Sequence, residues 1–216
     1  MFLVCTVSIL PRSWTTRAQK TVTIMIDPAG DARQTGRTIG SNFERGITMQ
    51  CAEHLAQLLK KESSAITTVI TRAPAELVPE LQNANYANRL NVDLFISLNF
   101  CHTHNTRPNM WVYRYAQAND FLALQTQLSF CSYDQAYLFN NKITATLAAD
   151  IERLLATSTQ FDAHGPYKLP FKPLVGIIAP AIAFEMELKD EADWQTYAEP
   201  LAQAIIQTLR KHGVLP

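Results

Sequence analysis

The chain has 216 residues, 47% of them hydrophobic, and Lys+Arg and Asp+Glu both total 19, so the formal net charge is zero. That length suits one domain with a real core, and the lack of any basic excess excludes nucleic acid bound through phosphate neutralisation. The cysteines Cys5, Cys51, Cys101 and Cys131 are scattered with no C-x-x-C pair, which excludes a zinc knuckle and a thioredoxin-like motif. They read as free thiols, with a Cys101–Cys131 disulfide as the alternative in an oxidising compartment.

Met1–Leu10 (MFLVCTVSIL) is an apolar run too short to cross a bilayer as a helix. It reads either as an export signal lacking the usual basic start or as a docked arm or extra strand. Residues 1–20 are therefore set apart from a domain of residues 21–216, and no later segment is apolar enough to span a membrane. Thr21–Ile26 (TVTIMI) predicts a buried strand ending at Asp27-Pro28. Asp31–Gly40 is polar and holds Gly36 and Gly40, hence a loop. Ser41 or Asn42 is placed to cap a helix over about Phe43–Lys61, whose apolar stripe is Ile47, Cys51, Leu55, Leu58 and Leu59.

Thr67–Thr71 (TTVIT) predicts a second strand and Glu80–Leu90 a short helix. Asp93–Leu98 (DLFISL) is apolar enough for a central strand. Met110–Tyr115 (MWVYRY) alternates like a fourth strand, and Ala116–Tyr137 has no clear pattern. Asn140–Ala156 has helical spacing at Ile143, Leu147, Ile151 and Leu154. Gly165–Pro173, with three prolines, reads as extended loop. Pro180–Leu188 (PAIAFEMEL) predicts a last strand and Gln195–His212 a closing helix. Strands alternating with helices imply a single α/β domain: a twisted, mostly parallel sheet of about six strands with helices on both faces. Ligands of such sheets bind at the carboxyl ends of the strands.

In this order the segments resemble the zinc-dependent N-acetylmuramoyl-L-alanine amidases of bacterial cell-wall metabolism. Where that family has D-P-G-H-G-G after its first strand, this chain has Asp27-Pro28-Ala29-Gly30-Asp31. The family's E-x-x-x-N-L helix is matched by Glu44 in FERGITMQCAEHL, and a strand ending in T-R by Thr71-Arg72. Leu81, Ala87 and Asn88 match the next helix, although Ala84 stands where Arg is usual. A-D-L-F-I-S-I-H-A-N corresponds to Val92–Phe100, with Asn99 in place of the histidine, and P-A-V-L-V-E-L to Pro180–Met186 with Glu185. The match runs from about residue 21 to 212.

The resemblance implies cleavage of the bond between N-acetylmuramic acid and the first L-alanine of the peptide stem. It also implies a Zn²⁺ cofactor held by His, Glu and His, with an open position for water, and a glutamate as general base. Carried over, Glu44 is the remaining metal ligand and Glu185 the base, while Gly30 and Asn99 occupy the places of the lost histidines. A carboxylate and an amide are a poor set for zinc. The expectation is therefore an amidase-like protein of peptidoglycan metabolism without the ordinary metal site, inactive or binding only. One alternative is an active amidase with rebuilt ligands Glu44, His102 and His104, since i and i+2 on an extended segment point the same way. The other is a regulatory or scaffold protein that keeps only the fold. Peptidoglycan, a muropeptide or a protein is the expected partner, and the periplasm or cell envelope the expected location, with the cytoplasm as the alternative.

Each of these residues also has a structural reading. Glu44 suits the first turn of a helix through its dipole. Glu185, inside an apolar strand, needs a partner, and Glu187 shares its face. Asp27 is placed to orient the loop at the strand end, and Arg72 to anchor structure. His102 and His104 also suit a solvated loop, His54 a helix surface, and His164 and His212 carry no assignment. Cys101 beside these histidines makes a weak nucleophile candidate. G-x-S-x-G, G-x-G-x-x-G and P-loop motifs are missing.

Overall fold

The structure, a computed structural model, describes residues 21–79, 81–117 and 132–216. The readings of residues 1–20 and of Cys131 lie outside the described residues. Strand β1 (Val22–Pro28) leads into a turn and a two-residue hairpin, β2 (Thr38–Ile39) and β3 (Asn42–Phe43), and then helix α1 (Glu44–Glu62). Strand β4 (Ile66–Ile70), helix α2 (Gln82–Leu90), and strands β5 (Leu94–His102) and β6 (Asn109–Tyr115) follow. A 3-10 segment over Tyr133–Phe139 precedes α3 (Asn141–Leu155), β7 (Asp162–Leu169), β8 (Ala181–Leu188) and α4 (Gln195–Lys211).

The sheet has six strands in the order β4-β1-β5-β8-β6-β7. The pairs β1–β4, β1–β5, β5–β8 and β6–β7 are parallel and β6–β8 is antiparallel. The expected mostly parallel α/β sheet is thus present, with β5 at its centre buried from Leu94 to Phe100. Such a strand, covered on both faces, has no polar side to show, which is why it reads as an apolar run.

Helices cover both faces. Ile47, Cys51, Leu55 and Leu59 of α1, Leu147 and Ile151 of α3, and Leu201, Ile205 and Leu209 of α4 join one core cluster with Ile24, Ile96 and Phe184 of the sheet. Ala84 and Ala87 of α2 pack on the opposite face against Met25, Phe95 and Ala183. Because strand side chains alternate, the residues two steps beyond Met25, Phe95 and Ala183, namely Asp27, Ser97 and Glu185, lie on this second face, Asp27 at the carboxyl end of β1 and Ser97 and Glu185 within β5 and β8.

Two expectations are corrected. Residues Gly165–Leu169, read as loop, belong to the edge strand β7. Its Pro166 is tolerated because an edge strand has one unpaired side. Neither Ser41 nor Asn42 caps α1: the residue before it is Phe43, with no side-chain cap. The first amides of the helix instead donate to loop carbonyls, Glu44 N to Arg37 O at 2.8 Å and Arg45 N to Thr35 O at 3.1 Å, while Ser41 and Asn42 reach Glu191. Within the unassigned stretch, the 3-10 segment is the structure of its described end.

Candidate functional site

Registers bring the candidate residues into rows across the sheet. Asp27 lies beside Ser97, Asn99 beside Glu185, and Glu185 beside Trp111. Asp27 is buried and accepts hydrogen bonds from Thr71 Oγ1 (2.8 Å), Asn83 Nδ2 (2.7 Å) and Ser97 Oγ (3.3 Å). Burial raises its pKa even against the bonds from Thr71 and Ser97. Asn99, also buried, donates through Nδ2 to Ser97 Oγ and to Phe184 O, both at 3.3 Å. A chain of hydrogen bonds therefore runs from Asn99 through Ser97 to Asp27 and fixes which way the Asn99 amide faces.

Glu44 begins α1 and is 5% exposed. Its Oε1 accepts from Phe100 N at 2.8 Å and its Oε2 from Arg37 N at 3.0 Å. A buried carboxylate needs such charge-assisted bonds, and here they tie the loop before α1 to the end of β5. The loop comes this close because of Gly36, whose φ is +76°; a Cβ there would lie 2.6 Å from Glu44 Oε2. Only glycine takes up both the left-handed backbone and the contact without strain.

The next residue, Arg37, reaches across the strand ends. Nη2 lies 2.8 Å from Glu185 Oε1, Nη1 lies 4.0 Å from Glu44 Oε1, and Nη1 donates to Phe100 O at 3.0 Å. Partial burial opposes the charge, but the carboxylates of Glu185 and Glu44 outweigh it and raise the guanidinium pKa further. Glu185 accepts a second bond from Tyr113 Oη at 3.1 Å. Burial and the Glu185 charge together raise the pKa of that phenol. Glu185 and Glu44, the two acids singled out by sequence, are thus brought to one guanidinium. Arg37 itself was missed: in the sequence it is one cation of a polar loop, and the only hint is the glycine before it.

The remaining candidates lie around this centre. Gly30 has φ +82°, and a Cβ there would meet Arg45 Cβ at 2.7 Å. Arg72 donates to Pro28 O, Ala29 O and Arg45 O, so it holds the turn after β1 against α1. Glu187 does not share the Glu185 environment. It accepts from Asn109 N and Nδ2, each at 2.8 Å, and from Asn105 Nδ2, and these bonds outweigh burial and lower its pKa. His102 and His104 are exposed and stack edge to face, with ring centroids 4.6 Å apart. They share a side as i and i+2 positions do, but Glu44 is not gathered with them. Among the described residues, no three His, Cys, Asp or Glu side chains converge as a metal-holding group. Burial pushes the Cys101 thiol up to about 11, which makes it a poor nucleophile at neutral pH.

A cavity of about 540 Å³ opens beside Asp27, Gly30 and Asn99 and is walled by Val78, Pro79, Leu81, Asn83 and Ala84 and by Lys172, Pro173 and Val175. A larger hollow of about 790 Å³ near Tyr86 and Arg89 is more open and does not reach Asn99 or Glu185. The smaller cavity is the one of the two that reaches Asn99, and Glu185 lines neither.

The family model described as N-acetylmuramoyl-L-alanine amidase matches residues 24–214. Among solved structures, the chain is similar to the catalytic domain of CwlV, an N-acetylmuramoyl-L-alanine amidase from Bacillus (Paenibacillus) polymyxa var. colistinus. Identity is 16%, 91% of this chain and 100% of that chain are covered, and the TM-score is 0.66. AmiC2 of Nostoc punctiforme is 19% identical over 88% of this chain and 96% of its own, with a TM-score of 0.60. The CwlD amidase of Clostridioides difficile, solved in complex with the GerS lipoprotein, is 17% identical over 88% of this chain and 98% of its own, with a TM-score of 0.56. At these identities the likeness shows the fold. No curated protein sequence matches the chain.

Proposed function

The chain belongs to the N-acetylmuramoyl-L-alanine amidase family, and from that premise we propose that it binds peptidoglycan or muropeptides in the cell envelope without the zinc-dependent cleavage of its relatives. The observation that carries this reading is the Arg37 guanidinium, bonded to Glu185 and facing Glu44. In the family's scheme a metal cation sits beside these two carboxylates; here an arginine brings the positive charge. A guanidinium is neither a Lewis acid nor a carrier of activated water, so it supports ligand binding and charge balance but supplies no nucleophile.

The donor set supports the same reading. Position 30 has no side chain and no room for one beside Arg45. Asn99 turns its amide nitrogen inward, both Glu44 oxygens are taken by backbone amides, and Glu185 lies between Arg37 and Tyr113. These residues do not fit a zinc ion held by three protein ligands. The family's cleavage of cell-wall amides makes the periplasm or envelope the proposed location, and no described helix is long and apolar enough to cross a membrane.

A second reading has its own observation. The same Arg37–Glu185 pair, with Tyr113, is what a purely structural use of Glu185 requires, and it favours a scaffold that keeps only the fold. Purified peptidoglycan sacculi distinguish the two. The binding reading expects wild-type protein to co-sediment with sacculi in the presence of a chelator, to release no free muropeptide, and to carry zinc at background by elemental analysis. Failure to sediment, with the protein folded, leaves the scaffold. Near-stoichiometric zinc, lost in Glu44→Ala and in His102→Ala/His104→Ala, together with muropeptide release, overturns both in favour of a rebuilt amidase.

A further inference from the structure

The two exposed histidines at the end of β5 are held as a pair. Thr103 between them is buried; its N–H donates to Leu188 O at 2.9 Å, and its Oγ1 accepts from Asn105 N at 3.1 Å. The Asn105 side chain bonds Glu187, and Lys189 Nζ donates to Thr106 O. The segment that carries the pair is thus fastened to β8 and the residue after it. With Thr103 turned inward, alternation along an extended segment sends His102 and His104 outward together, and their ring centroids lie 4.6 Å apart.

The remaining histidines are engaged elsewhere. His164 Nε2 meets Asn109 Oδ1 at 3.0 Å, His212 Nε2 meets Asp150 Oδ2 at 2.7 Å, and His54 lies against the Trp194 ring. His102 and His104 have no hydrogen-bond partner among the described residues, so their ring nitrogens are left to solvent. With metal–nitrogen bonds of about 2.0 Å at an angle of about 90–110°, two imidazoles on one ion have centroids about 4.5–5.3 Å apart. The observed separation falls in that range. Turning each ring about χ2, a soft torsion, aims one nitrogen of each at a common point and barely moves the ring centres.

The chemistry of the donors selects the ion. Two imidazoles with no carboxylate suit late transition metals, Cu²⁺ most tightly and Ni²⁺ and Zn²⁺ less so, whereas Mg²⁺ and Ca²⁺ require oxygen ligands. The pair is also separate from the place of the family's zinc. By alternation His102 continues the side of β5 that carries Leu98 and Phe100, which belong to the core cluster under α1 and α4, whereas Asn99 lies on the other side, beside Glu185. Both Glu44 oxygens are held by backbone amides.

We propose that His102 and His104 form an accessory surface site for a late transition-metal ion of the Cu²⁺ class, with water completing its coordination. The site needs neither Glu44, Glu185 nor the cavity beside Asp27, so it stands or falls apart from the peptidoglycan reading.

The test is calorimetric titration of the untagged full chain, stripped with a chelator and desalted, with CuCl₂, ZnCl₂ and MgCl₂. One Cu²⁺ per chain is expected, with Zn²⁺ weaker and Mg²⁺ undetected. His102→Ala and His104→Ala are each expected to weaken Cu²⁺ binding at least about tenfold, because either one removes the second arm of a chelate. Both positions are exposed, so the melting temperature without metal should not change. His54→Ala and Glu44→Gln are expected to bind as wild type does. No Cu²⁺ binding, Mg²⁺ bound as tightly as Cu²⁺, or full affinity in either single histidine variant would overturn the site. Loss in Glu44→Gln as well would also overturn it, in favour of a rebuilt family centre. Copper bound through the histidines alone, with or without sacculus binding, keeps the site and leaves the peptidoglycan reading to its own experiment.

Discussion

Gly36 matters for what it lacks. Its missing Cβ lets the loop lie against Glu44, so that the amide of Arg37 bonds one carboxylate oxygen and the Arg37 side chain goes on to Glu185. Gly36→Ala places a methyl 2.6 Å from Glu44 Oε2 in a left-handed conformation. Chemical denaturation should show a loss of about 1–3 kcal/mol, and a loss below a few tenths would mean that the loop is not held as described. The sequence told this part unevenly. Glu44 and Glu185 were legible because each stands in a motif and a charge within an apolar strand needs a reason. Arg37 was not, because a loop cation has no periodicity and its partners lie 7 and 148 positions away in the chain.

At the scale of elements, α3 and α4 are joined by one acid. Asp150, largely buried on α3, accepts from Lys211 Nζ at 2.7 Å to each oxygen, meets His212 Nε2 at 2.7 Å, and bonds Arg153 Nη2 at 2.8 Å. His212, which carried no assignment in the sequence, has its partner here. The bonds from Lys211 and His212, in that order, hold the Asp150 pKa well below its ordinary 3.8. A carboxyl group whose folded pKa is depressed contributes stability that is complete above its unfolded pKa and is lost as pH falls toward the folded value. Thermal melts should therefore show Asp150→Asn less stable than wild type at pH 7, with the gap closing below about pH 4. A gap of constant size from pH 7 to pH 2 would refute the assignment. The effect should be modest, because Lys211 and Arg153 are more than half exposed and water screens their charges.

Over the whole molecule, a fully buried side chain just before the edge strand helps to fasten it to the core. Phe161, 1% exposed, precedes β7 and packs its ring 4.9 Å from that of Tyr197 on α4. It lies in the cluster that also holds Leu147 and Ile151 of α3 and Phe184 of β8. Phe161→Ala opens a cavity that several rigid elements surround, and a loss of about 3–5 kcal/mol is expected, a large share of the roughly 5–15 kcal/mol total of a typical domain. A urea unfolding curve checks it: the midpoint should fall steeply with little change in slope. The β7 strand is also where the sequence reading failed. Three prolines and a glycine made residues 165–173 look like loop, and only an edge position, with its unpaired side turned to solvent, makes a strand there admissible.

By itself the sequence determined the class of fold, the central strand β5, the four segments that became helices, and the family. These depend on local patterns, burial on two faces or on a stripe, that a linear reading registers directly. The resemblance also implies that Gly30 and Asn99 stand at the family's two histidine positions. What only the tertiary structure decided is what surrounds those two positions. The hairpin and loop that deliver Arg37 to Glu185, the closure of position 30 by Arg45, and the inward turn of the Asn99 amide all depend on contacts between segments far apart in the chain. No local pattern encodes such contacts, because their free energy exists only once the strands have brought the partners to the same edge of the sheet.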